Sequence, residues 1–494
     1  MMVTLILVIL TLLLAFITLQ KQKRTEINFP PGPYPWPLIG NQYYLKKLSR
    51  KLGGQQYAFL EICKRYSSGI ISLRLGGNNI IVVSDHMLIH EVLSNENYDG
   101  RPWNEFIKLR NLGLKKGITM NDGAEWKELR NWTMRNLRKV GFARQEMGEL
   151  LADELTVILE KLKESNVHTI KFVIAPAVIN VLWNLLAGQQ ICNNTKLQHF
   201  IEILECRAKA FDMSGGILAS FPWIRYIMPN ASGYNILISL NNELKHLLMT
   251  TINEHKQHYV EGAEKDFIDL FLREMKAHET TKTDVSIFTD DNLFITLVDF
   301  FIAGTTNTTS TLDFLFLHMT KHQDVQDILH KEIDKVIGTE RFPNLEDRPK
   351  MPFTEALLTE CQRMWVVTPI IGPRRVLADT TLGGYTMPKN SIVLMNIFAN
   401  NMNPELYPDP TSFKPERFMK DGDYQSDANL ITFGKGKRRC PGEALAKSAI
   451  FLLFVGVMQK YRLLPISCEE SVKLVLNSGL TISPKPYKVL LVPR

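Results

Sequence analysis

The sequence predicts a mainly α-helical protein with small β-sheets, built as a single large domain behind an N-terminal membrane anchor. First, the 494-residue chain is 45% hydrophobic and 22% charged, which is ordinary globular composition with enough apolar material for a large core. Second, apolar residues recur at helical spacing along most of the chain, whereas strand-like stretches are short. Third, no linker interrupts the chain after about residue 42, so one domain is preferred over the two or three that length alone suggests.

The charge and the cysteine pattern exclude several classes of protein. The net charge of +7 is modest for this length, the cations are interleaved with acids, and there is no basic tail, so we expect no nucleic-acid partner. The cysteines are widely scattered and include no CxxC pair; they are Cys63, Cys192, Cys206, Cys361, Cys440 and Cys468. This pattern argues against a disulfide framework or a structural zinc site and favours a reducing compartment.

Residues 1–20 are predicted to form a signal anchor, a transmembrane helix that is not cleaved. The stretch up to Leu19 carries no charge and is nearly all aliphatic, which is just long enough to cross a bilayer core. Three cations follow it at once, so the order is the reverse of a cleaved signal peptide and places the remaining chain in the cytosol. Residues 21–42 are a basic and proline-rich linker, and residues 43–494 form the large domain. A removed presequence is the alternative, and it leaves that domain unchanged.

The first part of the domain is predicted to hold a β-hairpin and a long loop. Residues 70–75 and 79–84 flank Gly76-Gly77 and have strand composition. Residues 95–117 mix polar, aromatic and basic side chains without a period, which predicts a loop of a length that is usually functional or disordered. A helix is expected to begin at Asn121-Asp122.

The middle of the chain is predicted to be helical, with two contrasting loops. Residues 213–224 are apolar but contain Gly-Gly and Pro, so they cannot span a membrane as a helix. We expect them to enter the membrane surface or to line a substrate entrance, unless they are simply a buried loop. Residues 276–284 are polar and predict an exposed loop. Helices are expected at about 57–66, 144–189, 195–212, 241–259 and 325–338, and a last hairpin at 474–482.

A long helix is predicted to begin at Asp290-Asp291, and it contains a stretch of residues with low helix propensity. Leu293 to Ala303 is apolar almost all round, which predicts a helix inside the core. Ala303 to Ser310 then brings one glycine and a run of threonines, and a glycine inside a helix costs roughly 1 kcal/mol relative to alanine. A buried helix that tolerates both indicates a backbone that opens toward a ligand or a water molecule.

The stretch from Phe433 to Gly442 has one cysteine, three glycines and a block of cations. The residues after it read as a buried helix, so Cys440 lies at a loop-to-helix junction. The N–H groups and partial positive charge of that helix end are expected to lower the thiol pKa. A thiolate in an apolar, glycine-lined pocket is suited to ligate a haem iron. The alternative is a buried, inert free cysteine.

The spacing of Phe433, Gly436, Arg438, Cys440 and Gly442 resembles the haem-binding loop of the cytochrome P-450 family. The proline-rich linker resembles the hinge of microsomal members, and the resemblance covers nearly the whole chain. It implies a cytochrome P-450-type haem-thiolate domain that binds haem b. In that domain Cys440 is the axial ligand of the iron, and Phe433 and Gly442 belong to the cofactor-binding loop.

The resemblance also assigns the residues around the haem propionates. Trp126 and Arg130 lie four residues apart on one helix face, an arrangement that suits a carboxylate, although simple packing of the two side chains is an alternative. The resemblance implies that the carboxylate is a haem propionate, and that Arg374 and Arg438 also reach propionates. It further implies a buried network that supports the haem loop, formed by Glu360, Arg363 and Arg417.

The helix from Asp290 resembles the family's distal motif, Ala-Gly-x-acid-Thr-Thr/Ser, with two departures. Ala303, Gly304 and Thr308 match, but Thr306 stands where the acid is usual and Asn307 where the alcohol is usual. An amide donates and accepts hydrogen bonds but relays a proton less easily than a hydroxyl does. We expect Asn307 to hold the catalytic water, with Thr306 or Thr308 assisting.

The electrons are expected to come from another protein, because no GxGxxG motif follows a predicted strand. The resemblance implies an NADPH-cytochrome reductase, which would supply NADPH and FAD/FMN, at the endoplasmic reticulum membrane with the catalytic domain facing the cytosol. A basic patch beside the thiolate suits an acidic flavoprotein, although a solvated basic face is the alternative; its members are Lys435, Lys437, Arg438, Arg439, Arg135, Arg138 and Lys139.

The apolar segments that would line the site predict a lipophilic substrate. The stretches from Asp99 to Pro102, from Leu109 to Gly113 and from Gly117 to Thr119 resemble insect microsomal members. Among those, the chain is most similar to the methyl farnesoate epoxidases of juvenile hormone synthesis. A hydroxylase of an ecdysteroid or xenobiotic is one alternative. A haem-thiolate isomerase or dehydratase, which needs neither NADPH nor dioxygen, is another. A membrane-anchored haem- or lipid-binding protein without turnover is the third.

Overall fold

The computed structural model describes residues 28–191, 194–210, 216–281, 286–466, 476–477 and 481–494. The predicted anchor, residues 1–20, and most of the predicted last hairpin lie outside the described residues. Among the described residues, one helix is long and apolar enough to cross a membrane. It is Ile170–Ala187, and most of it is buried in the core of the domain.

Helices dominate the described chain, as the sequence predicts. In chain order they are α1 Gln42–Leu52, α2 Gln55–Arg65, α3 His86–Ser94, α4 Glu105–Arg110, α5 Gly123–Leu137, α6 Gln145–Lys163, α7 Ile170–Ala187, α8 Asn194–Ala210, α9 Gly216–Ser220, α10 Ile224–Ile227, α11 Tyr234–His258, α12 Phe267–Thr281, α13 Asp290–Lys321, α14 Gln323–Val336, α15 Pro352–Met364, α16 Ile397–Asn401 and α17 Glu443–Lys460.

Among the residues that the structure describes, the strands are short and form five small sheets. They are β1 Ile70–Leu75, β2 Asn78–Val83, β3 Val167–His168, β4 Ile370–Arg375, β5 Thr380–Leu382, β6 Tyr385–Met387, β7 Ile392–Asn396, β8 Met419–Lys420, β9 Asp423–Tyr424, β10 Tyr461–Leu464, β11 Leu476–Asn477, β12 Ser483–Pro484 and β13 Val489–Pro493. The largest sheet has the order β1-β2-β7-β4, and a second has the order β10-β13-β3. The mainly α fold with small β-sheets is confirmed.

The predicted hairpin forms the edge of the largest sheet. β1 and β2 pair antiparallel from Ile70 opposite Val83 to Leu75 opposite Asn78, and β2 pairs parallel with β7. β4 then pairs with β7, with a change of register between Ile371 and Arg374. This irregularity matters for the site because Arg374 lies at it.

Helix α13 lies at the centre of the core. It packs against α7, α11 and α17, and its side chains from Leu312 to Leu317 are at most 2% exposed. The apolar composition all round the helix therefore predicted its position correctly. Thr289 caps its N-terminus by accepting a hydrogen bond from the Asn292 N–H, which satisfies one of the free donors there.

Three segments predicted as loops contain helices. The predicted loop 95–117 contains α4, which is capped by Asn104 and buries Phe106 and Ile107 against other elements. At six residues, α4 is too short to show a helical period in the sequence. Helix α12 extends to Thr281, into the predicted exposed loop.

The apolar segment 213–224 is the third correction. It contains α9, and α10 begins at Ile224. Leu218 is buried whereas Ile217 and Trp223 are exposed, so its described residues are divided between core and surface. Tertiary contacts rather than local sequence stabilise such short helices.

Candidate active site

The loop before α17 holds Cys440 with its side chain beside an open space. The Cys440 N–H donates to the carbonyl oxygen of Phe433 over 2.8 Å, which closes the loop. Gly436 has a φ of +71°, and a Cβ there would lie 2.3 Å from the carbonyl oxygen of Leu93. Cys440 itself is exposed. Only a glycine therefore fits at position 436, and the closed loop carries the thiol at the start of α17.

The pKa of the Cys440 thiol is raised, which corrects the prediction that the helix N-terminus would lower it. Although the residue is exposed on its open side, protein atoms surround most of the thiol, and this desolvation is the largest cause and raises the pKa. The Gly442 N–H and the guanidinium groups of Arg130 and Arg439 act in the lowering direction, as expected, but they do not outweigh burial. The thiolate is thus favoured by coordination to a metal, which deprotonates a thiol outright.

The guanidinium group of Arg438 points inward from the same loop. It stacks over the ring of Trp126 at 3.4 Å from the centroid. Its Nε and Nη2 donate to the carbonyl oxygen of Asp99, and Nη2 also donates to that of Asn121. Its pKa is lowered to about 9 because of burial and the nearby Arg374. Arg438 therefore connects its own loop to α5 and to the segment before α4.

Arg374 and Arg130 complete the cationic cluster. Arg374 lies in β4 and donates from Nη1 to Asp99 Oδ1 over 2.8 Å. Arg130 lies in α5 and donates from Nη2 to the carbonyl oxygen of Arg439. Burial lowers the pKa of both side chains, and the neighbouring cation also lowers that of Arg374. A cation whose pKa is lowered by a neighbouring cation, as that of Arg374 is, is stabilised by an anion placed between the two.

The cluster fits the two carboxylates of a haem. Arg374 Nε and Arg438 Nη1 are buried and have no hydrogen-bond partner among the described residues, so each leaves one N–H available to an anion. Trp126 Nε1 donates instead to the carbonyl oxygen of Ile118 over 3.0 Å. The sequence thus identified four residues that the fold brings together, while the role of the Trp126 N–H toward a propionate stays a prediction.

Helix α13 presents an accessible face in the middle of the core. Phe301 and Thr305 are 1% and 5% exposed, but Ala303 is exposed and Thr306 and Asn307 are half-buried. A Cβ at Gly304 would lie 2.9 Å from Cδ2 of Leu182, so the glycine allows α13 and α7 to pack closely. The helix is continuous from Asp290 to Lys321, so the predicted opening of its backbone is not seen, and the accessible face consists of exposed and half-buried side chains.

The Asn307 amide is held in one orientation. Nδ2 donates to the carbonyl oxygen of Ala303 over 3.0 Å, and Oδ1 is buried without a donor among the residues that the structure describes. Thr306 is on the accessible face, whereas Thr308 is 5% exposed. Asn307 can thus accept a hydrogen bond from a water molecule without losing its backbone contact.

A sequence profile of the cytochrome P450 family matches residues 30–491, nearly the whole chain. The chain belongs to the cytochrome P450 family. It is 37% identical over 483 residues to the probable cytochrome P450 305a1 of Drosophila melanogaster, covering 95% of each chain. It is 33% identical over 492 residues to the farnesoate epoxidase of Bombyx mori, covering 99% and 98%. It is 31% identical over 479 residues to human cytochrome P450 2J2, covering 96% and 93%.

Membership of the P450 family identifies the cofactor as haem iron with a thiolate ligand, and the chain as an oxidoreductase of a monooxygenase family. The predicted network of Glu360, Arg363 and Arg417 forms in this P450, and its support of the haem loop stays a prediction. Glu360 accepts from Arg363 Nε over 2.7 Å and from Arg417 Nε over 3.3 Å. The side chains of Glu360 and Arg363 are both completely buried, so the predicted buried network is confirmed.

Sequence reasoning missed Arg101 of this P450. Its Nη1 donates to the carbonyl oxygens of Gly372 and Pro373, each over 2.9 Å, and its Nε to that of Thr119. Burial lowers its pKa, and so do Arg438 and Arg374. Arg101 thus holds β4 in place next to Arg374. In the sequence, the Gly-Arg-Pro turn directly after Asp99 was the feature that could have indicated a fixed position for Arg101.

The predicted basic patch loses one member, and whether the others form a single patch stays a prediction. Arg438 is buried, because it faces the propionate cluster. The remaining six cations are exposed: Lys435, Lys437, Arg439, Arg135, Arg138 and Lys139. Lys437 pairs with Glu96, and Arg439 pairs with Glu443, so part of their charge is compensated.

Proposed function

We propose that this P450 uses electrons from an NADPH-cytochrome reductase to insert one oxygen atom from O2 into a lipophilic substrate, and that it epoxidises methyl farnesoate to juvenile hormone. The observation that carries the choice of substrate is the near full-length similarity to a farnesoate epoxidase, at 33% identity. Hydroxylation of another lipophile is the second candidate, since a sequence difference of this size permits a change of substrate.

We further propose that the enzyme acts at the endoplasmic reticulum membrane with its catalytic domain in the cytosol. Large apolar side chains support a membrane-facing surface: Trp36, Leu38, Tyr43, Trp223, Tyr226 and Ile227 are all more than half exposed. Ser220 Oγ donates to Gln42 Oε1 over 3.1 Å, so the N-terminal and α9–α10 parts of this surface are neighbours. Exposed apolar patches of this kind mark membrane or protein contacts.

The residues of the site have separate roles in this proposal. The haem, when bound, activates dioxygen and transfers one oxygen atom. Cys440 supplies the thiolate ligand, and Arg130, Arg374 and Arg438 hold the propionates. Asn307 orients a water molecule through Oδ1 on the accessible face of α13, and Thr306 stands beside it. The exposed cations around Cys440 present a basic surface to the reductase, whose docking would weaken with added salt.

Asn307→Ala is expected to uncouple NADPH oxidation from product formation. The substitution removes the amide that holds the water, and one hydrogen bond contributes about 1 kcal/mol, so we expect roughly fivefold less product per NADPH. The measurement compares NADPH consumption, peroxide release and product in one assay. Asn307→Thr is the matched control, because a hydroxyl can still donate to the Ala303 carbonyl. Unchanged coupling in Asn307→Ala would remove this role for the amide.

The proposed reaction predicts an NADPH-dependent 10,11-epoxide. The full chain in microsomes with its reductase is incubated with methyl farnesoate, and products are separated by chiral chromatography and identified by mass spectrometry. A single epoxide enantiomer that requires NADPH is the expected result. A carbon monoxide spectrum of the thiolate type without any epoxide would favour another lipophilic substrate. Product formed without NADPH would favour an isomerase or dehydratase.

A further inference from the structure

A cavity lies at the C-terminal end of α13, and none of the roles assigned so far uses it. Its volume is about 510 Å³, which is within the range of roughly 300–1,000 Å³ that is typical of small-molecule sites. Its lining includes His318 and Lys321 of α13, His322 and Trp365, which directly follow α13 and α15, and Phe413 of a loop. Three parts of the chain that are distant in sequence therefore form it together.

The cavity is separate from the residues assigned to the haem. His318 follows Asn307 by eleven residues of one continuous helix, a distance of about 16 Å at 1.5 Å per residue. None of the described residues that line the cavity belongs to the Cys440 loop or to the arginine cluster. A ligand in this cavity would thus be a second ligand, not the substrate at the haem.

Aromatic rings form one wall of the cavity. His318 stacks on Phe413 with 4.2 Å between the ring centroids and 18° between the planes. It also stacks on His322, with 5.3 Å between the centroids and 15° between the planes. Trp365 lies 5.9 Å from His318 at 36°. Because aromatic rings favour offset stacking and edge-to-face contacts with other rings, this wall suits a flat aromatic ligand.

The ring of His318 has one N–H without an acceptor. The residue is 6% exposed, and its Nε2 accepts from Trp365 Nε1, which can only donate. Burial, His322 and Lys321 lower its pKa to about 3, so the ring is neutral and its single proton is on Nδ1. Nδ1 is buried and has no hydrogen-bond partner among the residues that the structure describes. An unsatisfied buried donor is unfavourable, so a ligand with an acceptor oxygen is favoured here.

Lys321 adds a positive charge on the same side of α13. It follows His318 by three residues, which places the two on one helix face. Lys321 is exposed, and it forms no ion pair with any residue that the structure describes. A carboxylate can accept from the Nδ1–H and pair with the ammonium group at the same time, and hydrogen bonds to an ionised acceptor are the stronger ones. The polar part of the lining therefore favours an anion.

The loop that carries Phe413 is held by the buried acid network. Arg417 Nη2 donates to the carbonyl oxygen of Ser412 over 3.4 Å, and the Lys414 N–H donates to Glu360 Oε1 over 2.9 Å. The Glu360 side chain is completely buried. A wall that is already fixed loses little conformational entropy when a ligand binds, so the cavity is formed before its ligand arrives.

We propose that this cavity binds a planar aromatic carboxylate. The carboxylate accepts from His318 Nδ1 and pairs with Lys321, and the aromatic part packs against the rings of His322 and Phe413. An aromatic hydrocarbon of the same shape lacks the acceptor and binds more weakly. The inference does not depend on the substrate of the proposed function, because the cavity and the haem site have no lining residue in common among the described residues.

Two probes with the same ring system test the proposal, 2-naphthoate and naphthalene. Binding of each to the haem-loaded full chain is measured by equilibrium dialysis, and the haem absorbance is recorded in the same samples. We expect one saturable site that prefers 2-naphthoate and that fills without a change in haem absorbance, because the ligand lies about 16 Å along α13 from Asn307. The measurement needs no turnover, so its outcome is independent of the proposed reaction.

Three variants of lining residues and one control locate the site. His318→Phe keeps a flat ring but removes the N–H, so we expect about tenfold weaker binding of 2-naphthoate and nearly unchanged binding of naphthalene. Lys321→Met should weaken 2-naphthoate about two- to fivefold, since the charge is exposed. Thr411→Trp, at an exposed lining residue, should fill the cavity and abolish binding of both probes. Lys331→Met is the matched control, because Lys331 is an exposed lysine of α14 outside the lining, and it should change neither affinity.

Several results would overturn the proposal. One is the same affinity for 2-naphthoate in the wild type, Lys321→Met and Thr411→Trp; these two variants change exposed side chains, so they decide the question even if His318→Phe does not fold. Another is equal affinity of the wild type for the two probes. The absence of saturable 2-naphthoate binding is a third. A site that changes the haem absorbance and persists in every variant is the substrate site, and finding only that site contradicts the proposal as well.

Discussion

Cys440→Ser is expected to abolish product formation, the largest effect on activity in this protein. A serine hydroxyl is not a thiolate, so the ligand that favours O–O cleavage is lost. The fold should survive, because the Cys440 N–H that closes the loop onto Phe433 belongs to the backbone. The measurement pairs the product assay with the carbon monoxide difference spectrum. We expect the thiolate-type band to disappear and activity to fall to background.

Cys206→Ser is the matched control for this experiment. Cys206 is a free, exposed cysteine on α8, so its replacement should change neither the spectrum nor the activity. A thiolate-type spectrum that survives in Cys440→Ser would mean that another cysteine ligates the iron. The described alternatives are Cys206, which is exposed, and Cys63 and Cys361, which are buried.

Glu360→Gln is expected to have the largest effect on stability. The two Glu360 oxygens accept from Arg363 Nε and Nη2 and from Arg417 Nε, and Oε1 also accepts from the Lys414 N–H. The Arg363 side chain is completely buried. Removing the charge leaves a buried cation without its anion, which costs about 3–5 kcal/mol. That is a large fraction of a typical stability of about 5–15 kcal/mol.

The expected outcome is therefore little or no haem-loaded protein, together with a lower urea midpoint for whatever folds. Both are measured on the full chain, the first from the carbon monoxide spectrum per total protein. Glu61→Gln is the control, because Glu61 forms an exposed ion pair with Arg65 over 2.8 Å. Such pairs contribute about 0–1 kcal/mol. Equal midpoints for the two variants would show that the buried network does not support the haem loop.

The parts of the site that lie close together in the chain were predictable. The glycines and cysteine of the loop indicated a backbone that approaches a flat ligand, and Gly436 does have a backbone conformation that only glycine fits. The glycine and threonines of α13 marked the stretch in which this buried helix has an accessible face, and Ala303 is exposed there, although the helix backbone is continuous. Such signals depend on backbone preference and on period, which are properties of neighbouring residues.

The electrostatics of the site were less predictable. The expected lowering of the Cys440 pKa was wrong because burial outweighs the helix end and the cations. The sequence assigned Arg438 both to the surface patch and to the propionate site. The assignment to the surface patch was wrong, because the side chain is buried over Trp126. Desolvation depends on how many atoms surround a group, and the local sequence does not contain that information.

The sequence by itself determined the family, the cysteine loop, the buried central helix and the chemistry of the cofactor. The tertiary structure decided which distant residues meet: Arg101, Arg130, Arg374 and Arg438 come from separate elements and form one cationic cluster. It also decided that α4 is a helix and that Arg110 is buried. The physical reason is that period and backbone preference are local, whereas burial, ion pairing and the ends of short helices depend on packing between elements distant in the chain.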